Sequence, residues 1–132
     1  MQATCSQPII VFNWGIVLLI ILAFIIVDKA LTVANIKAVQ KNFPKIKDPL
    51  SIEKNPVARY FFKTFGLIMG SILFGILSFL LALIFMGLVW LTLQFFWPQT
   101  AWSMAFYVLC LVYGYTIVNN LFFLLKFSRV IP

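Results

Sequence analysis

Hydrophobic and polar positions fall in long blocks along this chain. Residues 9–27, 65–97 and 101–125 are apolar and uncharged, whereas residues 28–64 are polar. A helix over residues 9–27 covers roughly 28 Å at ~1.5 Å per residue, about the thickness of the hydrocarbon core of a bilayer. The pattern predicts an all-α integral membrane protein with three transmembrane helices, forming a single transmembrane domain over residues 1–132.

The polar segment is predicted to contain two helix ends and an irregular loop. No Gly or Pro follows the first apolar block until Pro44, so its helix should continue to about Asn42. Several prolines and lysines then disfavour regular structure as far as Asn55. A helix should restart there, because Asn55 is a good N-cap and Pro56 suits the first helical position.

The second apolar block, residues 65–97, would be roughly 50 Å long as one helix, so we predict a single tilted or protruding crossing. Small residues recur along it at spacings of three and four. They predict a helix-packing face, because helices in a bilayer associate by close packing. The alternative is that small residues fall at this spacing by chance. The predicted face comprises Gly66, Gly70, Ser71, Gly75 and Ser78.

The charge distribution predicts how the protein lies in a cell membrane. The chain is 64% hydrophobic, 10% charged and carries a net charge of +7, too little polar surface for a soluble domain. All ten Lys and Arg lie in residues 28–64 or after the third block, which three crossings place on the same side. The positive-inside rule predicts the N-terminus outside, with residues 28–64 and the C-terminus cytoplasmic.

Tryptophans and basic residues agree with this membrane assignment. Trp14, Trp90, Trp97 and Trp102 fall near the predicted outer boundary, as an aromatic belt would. The basic residues need no nucleic-acid partner, because the aromatic side chains lie inside apolar blocks rather than among the lysines. We predict a cluster of lysines in contact with anionic lipid headgroups, each worth ~1 kcal/mol. These are Lys37, Lys41, Lys45 and Lys47.

Polar residues at the ends of the spans are predicted to converge at the inner leaflet. They could hold a hard cation, carry protons or pair with the surrounding lysines, because they combine two carboxylates with amide and hydroxyl oxygens. The alternatives are a solvated surface pair, a helix cap and hydrogen bonds between helices. The candidate residues are Asp28, Thr32, Asn35, Glu53, Asn55, Thr116, Asn119 and Asn120.

The sequence offers no recognisable catalytic machinery. It contains no His, and its two Cys form no CxxC motif. Motifs of hydrolases, zinc peptidases and phosphate-binding loops are also missing. We therefore predict no catalytic residues, no metal ligand set and no cofactor, and expect a protein that is not an enzyme.

Two short motifs flank the lysine-rich part of the polar segment. They are Asp28-x-x-x-Thr32 and Glu53-x-Asn55-Pro56, followed by Gly66 at the start of the second span. Over about residues 12–125 the chain resembles a prokaryotic family of small multi-span membrane proteins of unknown function. Residues 36–50 are a departure, because family members often have a shorter connection there. The resemblance implies that the two motifs form one unit, and it carries no activity.

These observations favour one functional hypothesis and leave a second open. Three helices bury little surface alone, so we expect a non-catalytic accessory or structural subunit, either in a homo-oligomer or with other membrane subunits. The alternative is a cation-binding or transport-related protein whose inner-leaflet site uses Asp28, Glu53 and Asn119. The lipid bilayer is the expected partner in both cases.

Overall fold

A computed structural model describes residues 13–128 of the chain, so the predicted start of the first span at residues 9–12 and the basic residue Arg129 lie outside the described part. Within it the chain is helical, and three helices are long and apolar enough to cross a membrane. The helices are α1 (Trp14–Asn42), a 3-10 helix (Pro49–Ile52), α2 (Pro56–Phe65), α3 (Leu67–Leu93) and α4 (Ala101–Phe127).

Helix α1 confirms the predicted extension of the first span into the polar segment. Asn13 caps its start, since its side-chain oxygen accepts a hydrogen bond from the Ile16 amide at 3.3 Å. The helix continues through Asp28 to Asn42. Its buried positions recur every three or four residues, as expected for one face of a helix. They are Val17, Ile21, Ile25, Asp28, Thr32, Asn35, Ile36 and Val39.

The loop after α1 is more regular than predicted. Instead of remaining irregular through Asn55, the chain forms the 3-10 helix Pro49–Ile52. Asp48 is the cause, because its Oδ1 accepts a hydrogen bond from the Leu50 amide at 3.1 Å while Pro49 supplies a helical φ at the first position.

Helix α2 starts where the sequence predicts, at a cap formed by Asn55. The Asn55 Oδ1 accepts hydrogen bonds from the amides of Val57 at 3.0 Å and Ala58 at 3.3 Å. A glycine then separates α2 from α3: Gly66 has φ of +79°, a conformation that residues with a Cβ rarely adopt. The second apolar block therefore enters the membrane-crossing helix after a sharp change of direction.

Helix α3 ends at Leu93, before the predicted end of the second span at Trp97. Pro98 accounts for the end of the helix only at Trp97, because a proline disfavours helical conformation in the residue that precedes it. The Phe96 and Trp97 amides both bond to the Leu93 carbonyl, at 3.0 and 2.8 Å, and close the helix as a turn. The connection to α4 is consequently longer than the three residues that the sequence predicts.

Helices α1 and α4 run parallel in matching register. Trp14 contacts Trp102 with ring centroids 4.6 Å apart at one end. Asn42 donates a hydrogen bond to the Phe127 carbonyl at 2.8 Å at the other end. Because α3 comes between α1 and α4 in the chain and a short connection joins it to α4, we expect α3 to run in the opposite direction.

Two contacts establish the antiparallel direction of α3. Trp90, near its end, stacks on Trp102 near the start of α4, with centroids 4.7 Å apart. The Tyr113 hydroxyl reaches the Ser78 carbonyl at 3.4 Å further along both helices. Tryptophans of all three long helices therefore gather at one end, and the charged segment lies at the other.

The buried core forms two clusters, one toward each end of the bundle. The first joins α1, α3 and α4, and comprises Val17, Ile21, Ile25, Ala82, Met86, Ala105 and Leu109. The second lies where α2 packs against α1 and α3, and comprises Ile36, Ala58, Phe62 and Phe74. Helix α4 has no buried residue beyond Leu109, so its second half is left to line a cavity.

Candidate functional site

A cavity of about 800 Å³ lies between α1, α3 and α4, with the 3-10 helix and the start of α2 at its rim. This volume falls in the range of roughly 300–1,000 Å³ typical of small-molecule sites. The structure brings together every polar residue that the sequence analysis proposed for a site. Asp28, Thr32, Asn35, Glu53, Asn55, Thr116, Asn119 and Asn120 all line the cavity.

Asp28 is the buried charge in this cavity, with 5% of its surface exposed. Its Oδ2 pairs with the Lys29 ammonium at 2.8 Å, and its Oδ1 accepts a hydrogen bond from the Asn120 amide at 2.7 Å. Lys29 also lies over the Phe74 ring, with Nζ 4.3 Å from the centroid. The Asp28 carboxylate of α1 thus bonds to α4, and its counter-charge Lys29 contacts the Phe74 ring of α3.

Polar side chains spaced seven residues apart connect α1 to α4. Asp28, Asn35 and Asn42 lie on one face of α1, because seven residues make close to two helical turns. Asn35 Nδ2 donates to the Asn120 carbonyl at 3.0 Å, while the Asn120 side chain donates to Asp28. Asn42 adds its bond to Phe127 at the end of both helices. The three residues form a polar seam between two apolar helices.

Asn35 has one unsatisfied side-chain atom. The residue is 5% exposed, and its Oδ1 has no hydrogen-bond partner. Among residues 13–128 it is the one buried side-chain nitrogen or oxygen atom in this condition. A buried acceptor without a donor costs roughly 1–3 kcal/mol.

The other predicted residues of α1 and α4 have local partners or face outward. Thr32 donates to the Asp28 carbonyl on the preceding turn at 3.0 Å, and Thr116 donates to the Val112 carbonyl at 2.9 Å. Asn119 lines the cavity from an exposed position. These three side chains widen the polar surface around the pair of Asp28 and Lys29.

The turn from Glu53 to Asn55 forms the rim of the cavity and is held by its own hydrogen bonds. Glu53 accepts from the Asn55 amide at 2.8 Å through Oε1. Arg59 donates to the carbonyls of Glu53 and Ser51, which fixes the turn to the first part of α2. Lys54 lies over the Phe123 ring of α4 at 5.7 Å from its centroid. The rim thus spans from α2 to α4.

This arrangement leaves few carboxylate oxygens free to bind a cation. Both Asp28 oxygens are engaged by Lys29 and Asn120, and Glu53 uses one oxygen on the Asn55 amide. Within the described part of the chain, no group of three or more His, Cys, Asp or Glu lies close enough to hold a metal ion. A hard cation prefers six or more oxygen ligands, so it would have to displace Lys29 first.

The predicted packing face of α3 contacts helices of the same chain. A Cβ at Gly70 would lie 2.5 Å from the Phe61 carbonyl oxygen of α2, and one at Gly75 would lie 3.7 Å from the Lys29 Cγ of α1. Ser71 is buried, and Ser78 donates to the carbonyl of the preceding turn in α3. Gly66 differs, because it is the sharp corner between α2 and α3.

The lysines predicted to contact lipid headgroups are all exposed. Lys37, Lys41, Lys45 and Lys47 lie on the last turns of α1 and in the loop that follows. Their exposure leaves them available to anionic groups at the membrane surface.

Several residues that shape the site were not among the site residues proposed from the sequence. Lys29, Lys54, Phe74 and Phe123 line the cavity as two cation–ring pairs. Asn42 continues the seam toward the end of α4. The seven-residue spacing of Asp28, Asn35 and Asn42 was the available signal for the seam, whereas nothing in the local sequence indicates the ring pairs.

Comparisons with family models, with curated proteins and with solved structures found no match to this chain. The resemblance based on the two motifs therefore stays a prediction. Its four residues Asp28, Thr32, Glu53 and Asn55 line one cavity, and Pro56 begins the helix next to it.

Proposed function

We propose that this protein is a non-catalytic membrane protein that holds a phospholipid of the inner leaflet in the cavity between α1, α3 and α4. One observation carries the proposal: the cavity is polar at the end near the charged segment and apolar toward the middle of the bundle. Phospholipids in that leaflet have the same polarity along the same direction. A matching gradient is what lipid recognition requires.

The apolar end of the cavity is open toward the surroundings of the bundle. Leu81, Phe85 and Val112 line it, and each of them is also exposed. In a bilayer these side chains face acyl chains, so a lipid can enter sideways without leaving the membrane. Leu109 closes the deeper end as part of the buried core.

The depth of the polar end fits a lipid headgroup region. Trp14 to Asp28 is about 21 Å and Trp102 to Asn120 is about 27 Å along their helices, against a hydrocarbon core of about 30 Å. With the tryptophans at one membrane boundary, Asp28 and Asn120 fall just inside the opposite one. Charged groups at such depths are costly and are commonly functional.

The proposed orientation places this end of the protein in the cytoplasm. Basic residues exceed acidic ones in the charged segment, and the positive-inside rule favours keeping that segment on the inner side. The exposed lysines Lys37, Lys41, Lys45 and Lys47 then lie at headgroup level on the same side of the membrane as the polar end of the cavity. They concentrate anionic lipids near the entrance.

The two earlier hypotheses receive less support from the geometry. A cation would compete with Lys29 for Asp28, and Asn119 lines the cavity from an exposed position, where water competes for its oxygen. A role as an accessory subunit or in a homo-oligomer remains a prediction. It would have to use a surface other than Gly70 and Gly75, which contact α2 and α1 of the same chain.

The cavity can be filled to test lipid binding. Val112→Trp places a large ring among the exposed cavity-lining residues, whereas Val118→Trp makes the same change on an exposed part of α4 outside the cavity. We expect Val112→Trp to weaken phospholipid binding about tenfold, a change of ~1.4 kcal/mol, because the acyl chain loses its space. Native mass spectrometry of the delipidated full chain, titrated with dioleoyl phosphatidylethanolamine and phosphatidylglycerol, measures the effect.

Val118→Trp should bind these lipids as the unaltered protein does. Equal binding by both variants would contradict the proposal. So would a failure of the unaltered protein to bind either lipid over the same range of lipid concentrations.

A further inference from the structure

The unpaired oxygen of Asn35 indicates which lipid headgroups the cavity accepts. Asn35 lies at the polar end of the cavity, nineteen-twentieths buried, and its Oδ1 has no donor. The surrounding polar atoms do not supply one, because Lys29 is directed to Asp28 Oδ2 and Asn120 Nδ2 to Asp28 Oδ1. A buried acceptor in a binding cavity is completed by a ligand that donates.

The orientation of the Asn35 amide is fixed by its neighbour. Its Nδ2 donates to the Asn120 carbonyl at 3.0 Å. If the amide were rotated by half a turn, Oδ1 would face that carbonyl, and two acceptors cannot bond to each other. The oxygen therefore keeps its position on the side away from Asn120.

We propose that the headgroup of the bound phospholipid carries an N–H or O–H donor, and that this donor bonds to Asn35 Oδ1. This inference rests on the lipid-binding function proposed above. Lys54 is exposed at the rim and lies over Phe123, and it provides a positive charge for the lipid phosphate. Ethanolamine and glycerol headgroups have suitable donors, whereas choline has neither N–H nor O–H.

A methylation series of one lipid tests the donor requirement. Dioleoyl phosphatidylethanolamine, its N-methyl and N,N-dimethyl forms, and phosphatidylcholine share acyl chains, phosphate and net charge, but lose N–H groups stepwise. Native mass spectrometry of the full chain in mild detergent would give the affinity for each. We expect phosphatidylcholine to bind about tenfold more weakly than the other three. Phosphatidylglycerol, which donates through O–H, should bind at least as well as phosphatidylethanolamine.

Three variants separate the donor contact from a structural role of Asn35. Asn35→Leu removes both the amide N–H and the oxygen, so discrimination against phosphatidylcholine should disappear. Asn35→Asp removes the bond to the Asn120 carbonyl but keeps an acceptor, so discrimination should persist. Asn42→Leu removes a comparable bond between α1 and α4 at a residue that does not line the cavity, and should leave discrimination unchanged.

The outcomes distinguish this inference from the proposed function. If all lipids of the series bind equally well, the donor contact is wrong while lipid binding stands. If none of them binds the unaltered protein, the proposed function fails. If Asn35→Asp loses discrimination together with Asn35→Leu, the residue acts only through its bond to α4, which overturns the inference.

Discussion

Asp28 connects three helices through two side-chain contacts. Its carboxylate bonds to Asn120 of α4 and to its neighbour Lys29, whose ammonium lies over Phe74 of α3. Adjacent residues on a helix point in different directions, so Lys29 must curve back toward Asp28 to make this pair. Asp28 and Lys29 compensate each other's charge, so neither is buried without a counter-charge.

At this scale we predict that Asp28→Asn destabilises the protein far more than Asp48→Asn. Breaking the buried pair leaves Lys29 without a counter-charge and should cost about 3–5 kcal/mol. Asp48 makes an exposed pair with Lys63 at 3.4 Å, which is worth about 1 kcal/mol or less. Thermal unfolding of the purified variants in the same detergent measures the difference.

The double variant Asp28→Asn with Lys29→Met supplies the control. It removes both charges, so it should recover a large part of the stability that Asp28→Asn loses. Equal stability of the single and double variants would contradict an energetic role for the pair.

The corner between α2 and α3 is the element that positions the cavity rim. Gly66 turns the chain, and Gly70 lets the backbone of α2 touch α3 at Phe61. The start of α2 and the turn from Glu53 to Asn55 are held near α4 by this corner. Small residues in α3 thus serve the internal arrangement of the chain.

At this scale we predict that Gly70→Ala displaces α2. The new Cβ would lie 2.5 Å from the Phe61 carbonyl oxygen and 2.8 Å from its carbon, and backbone atoms cannot move without moving the helix. The cost should be about 1–3 kcal/mol. Hydrogen exchange in α2, measured by mass spectrometry, should accelerate in this variant.

Gly87→Ala is the matched control in the same helix. Nothing lies within 4 Å of a Cβ at Gly87, and alanine favours a helix over glycine by about 1 kcal/mol. Its α2 should exchange as in the unaltered protein. Unchanged exchange in Gly70→Ala as well would show that α2 does not depend on this contact.

In the whole molecule, tryptophans and charged residues are separated between the two ends of the bundle. Trp14, Trp90 and Trp102 form one cluster, and within residues 13–128 the charged side chains belong to the opposite end. In a membrane this asymmetry favours a single orientation, because basic segments resist translocation.

At this scale we predict the sidedness of the protein in intact cells. In a background with Cys5 and Cys110 replaced by Ala, Gln99→Cys should react with a membrane-impermeant maleimide added from outside. Lys45→Cys should react only after the cells are permeabilised, because the basic segment stays in the cytoplasm. Both positions are exposed in the fold, so access to the reagent depends on the side of the membrane. The reverse labelling pattern would contradict the proposed orientation.

Most of the predictions that the structure confirms depend on local chemistry, whereas the convergence of the polar span ends followed from the predicted number of crossings. Apolar length identifies the three long helices, and the cap at Asn55 identifies the start of α2. Because no Gly or Pro occurs between the first apolar block and Pro44, the sequence predicted that α1 continues to about Asn42, and it does. Local signals missed two features: the side-chain bond of Asp48 that starts a 3-10 helix, and the end of α3 at Leu93, several residues before Pro98.

The chain by itself determined its helices and the set of polar residues at their ends, because hydropathy and capping act over a few residues. Only the tertiary structure decided which of those residues pair. The bond from Asn35 to Asn120 joins positions 85 residues apart, and it depends on the rotation and register of α1 against α4. Those quantities follow from packing among all the helices. The same packing engages both Asp28 oxygens and leaves the Asn35 oxygen without a donor, which are the two observations behind the proposed choice of a lipid over a cation.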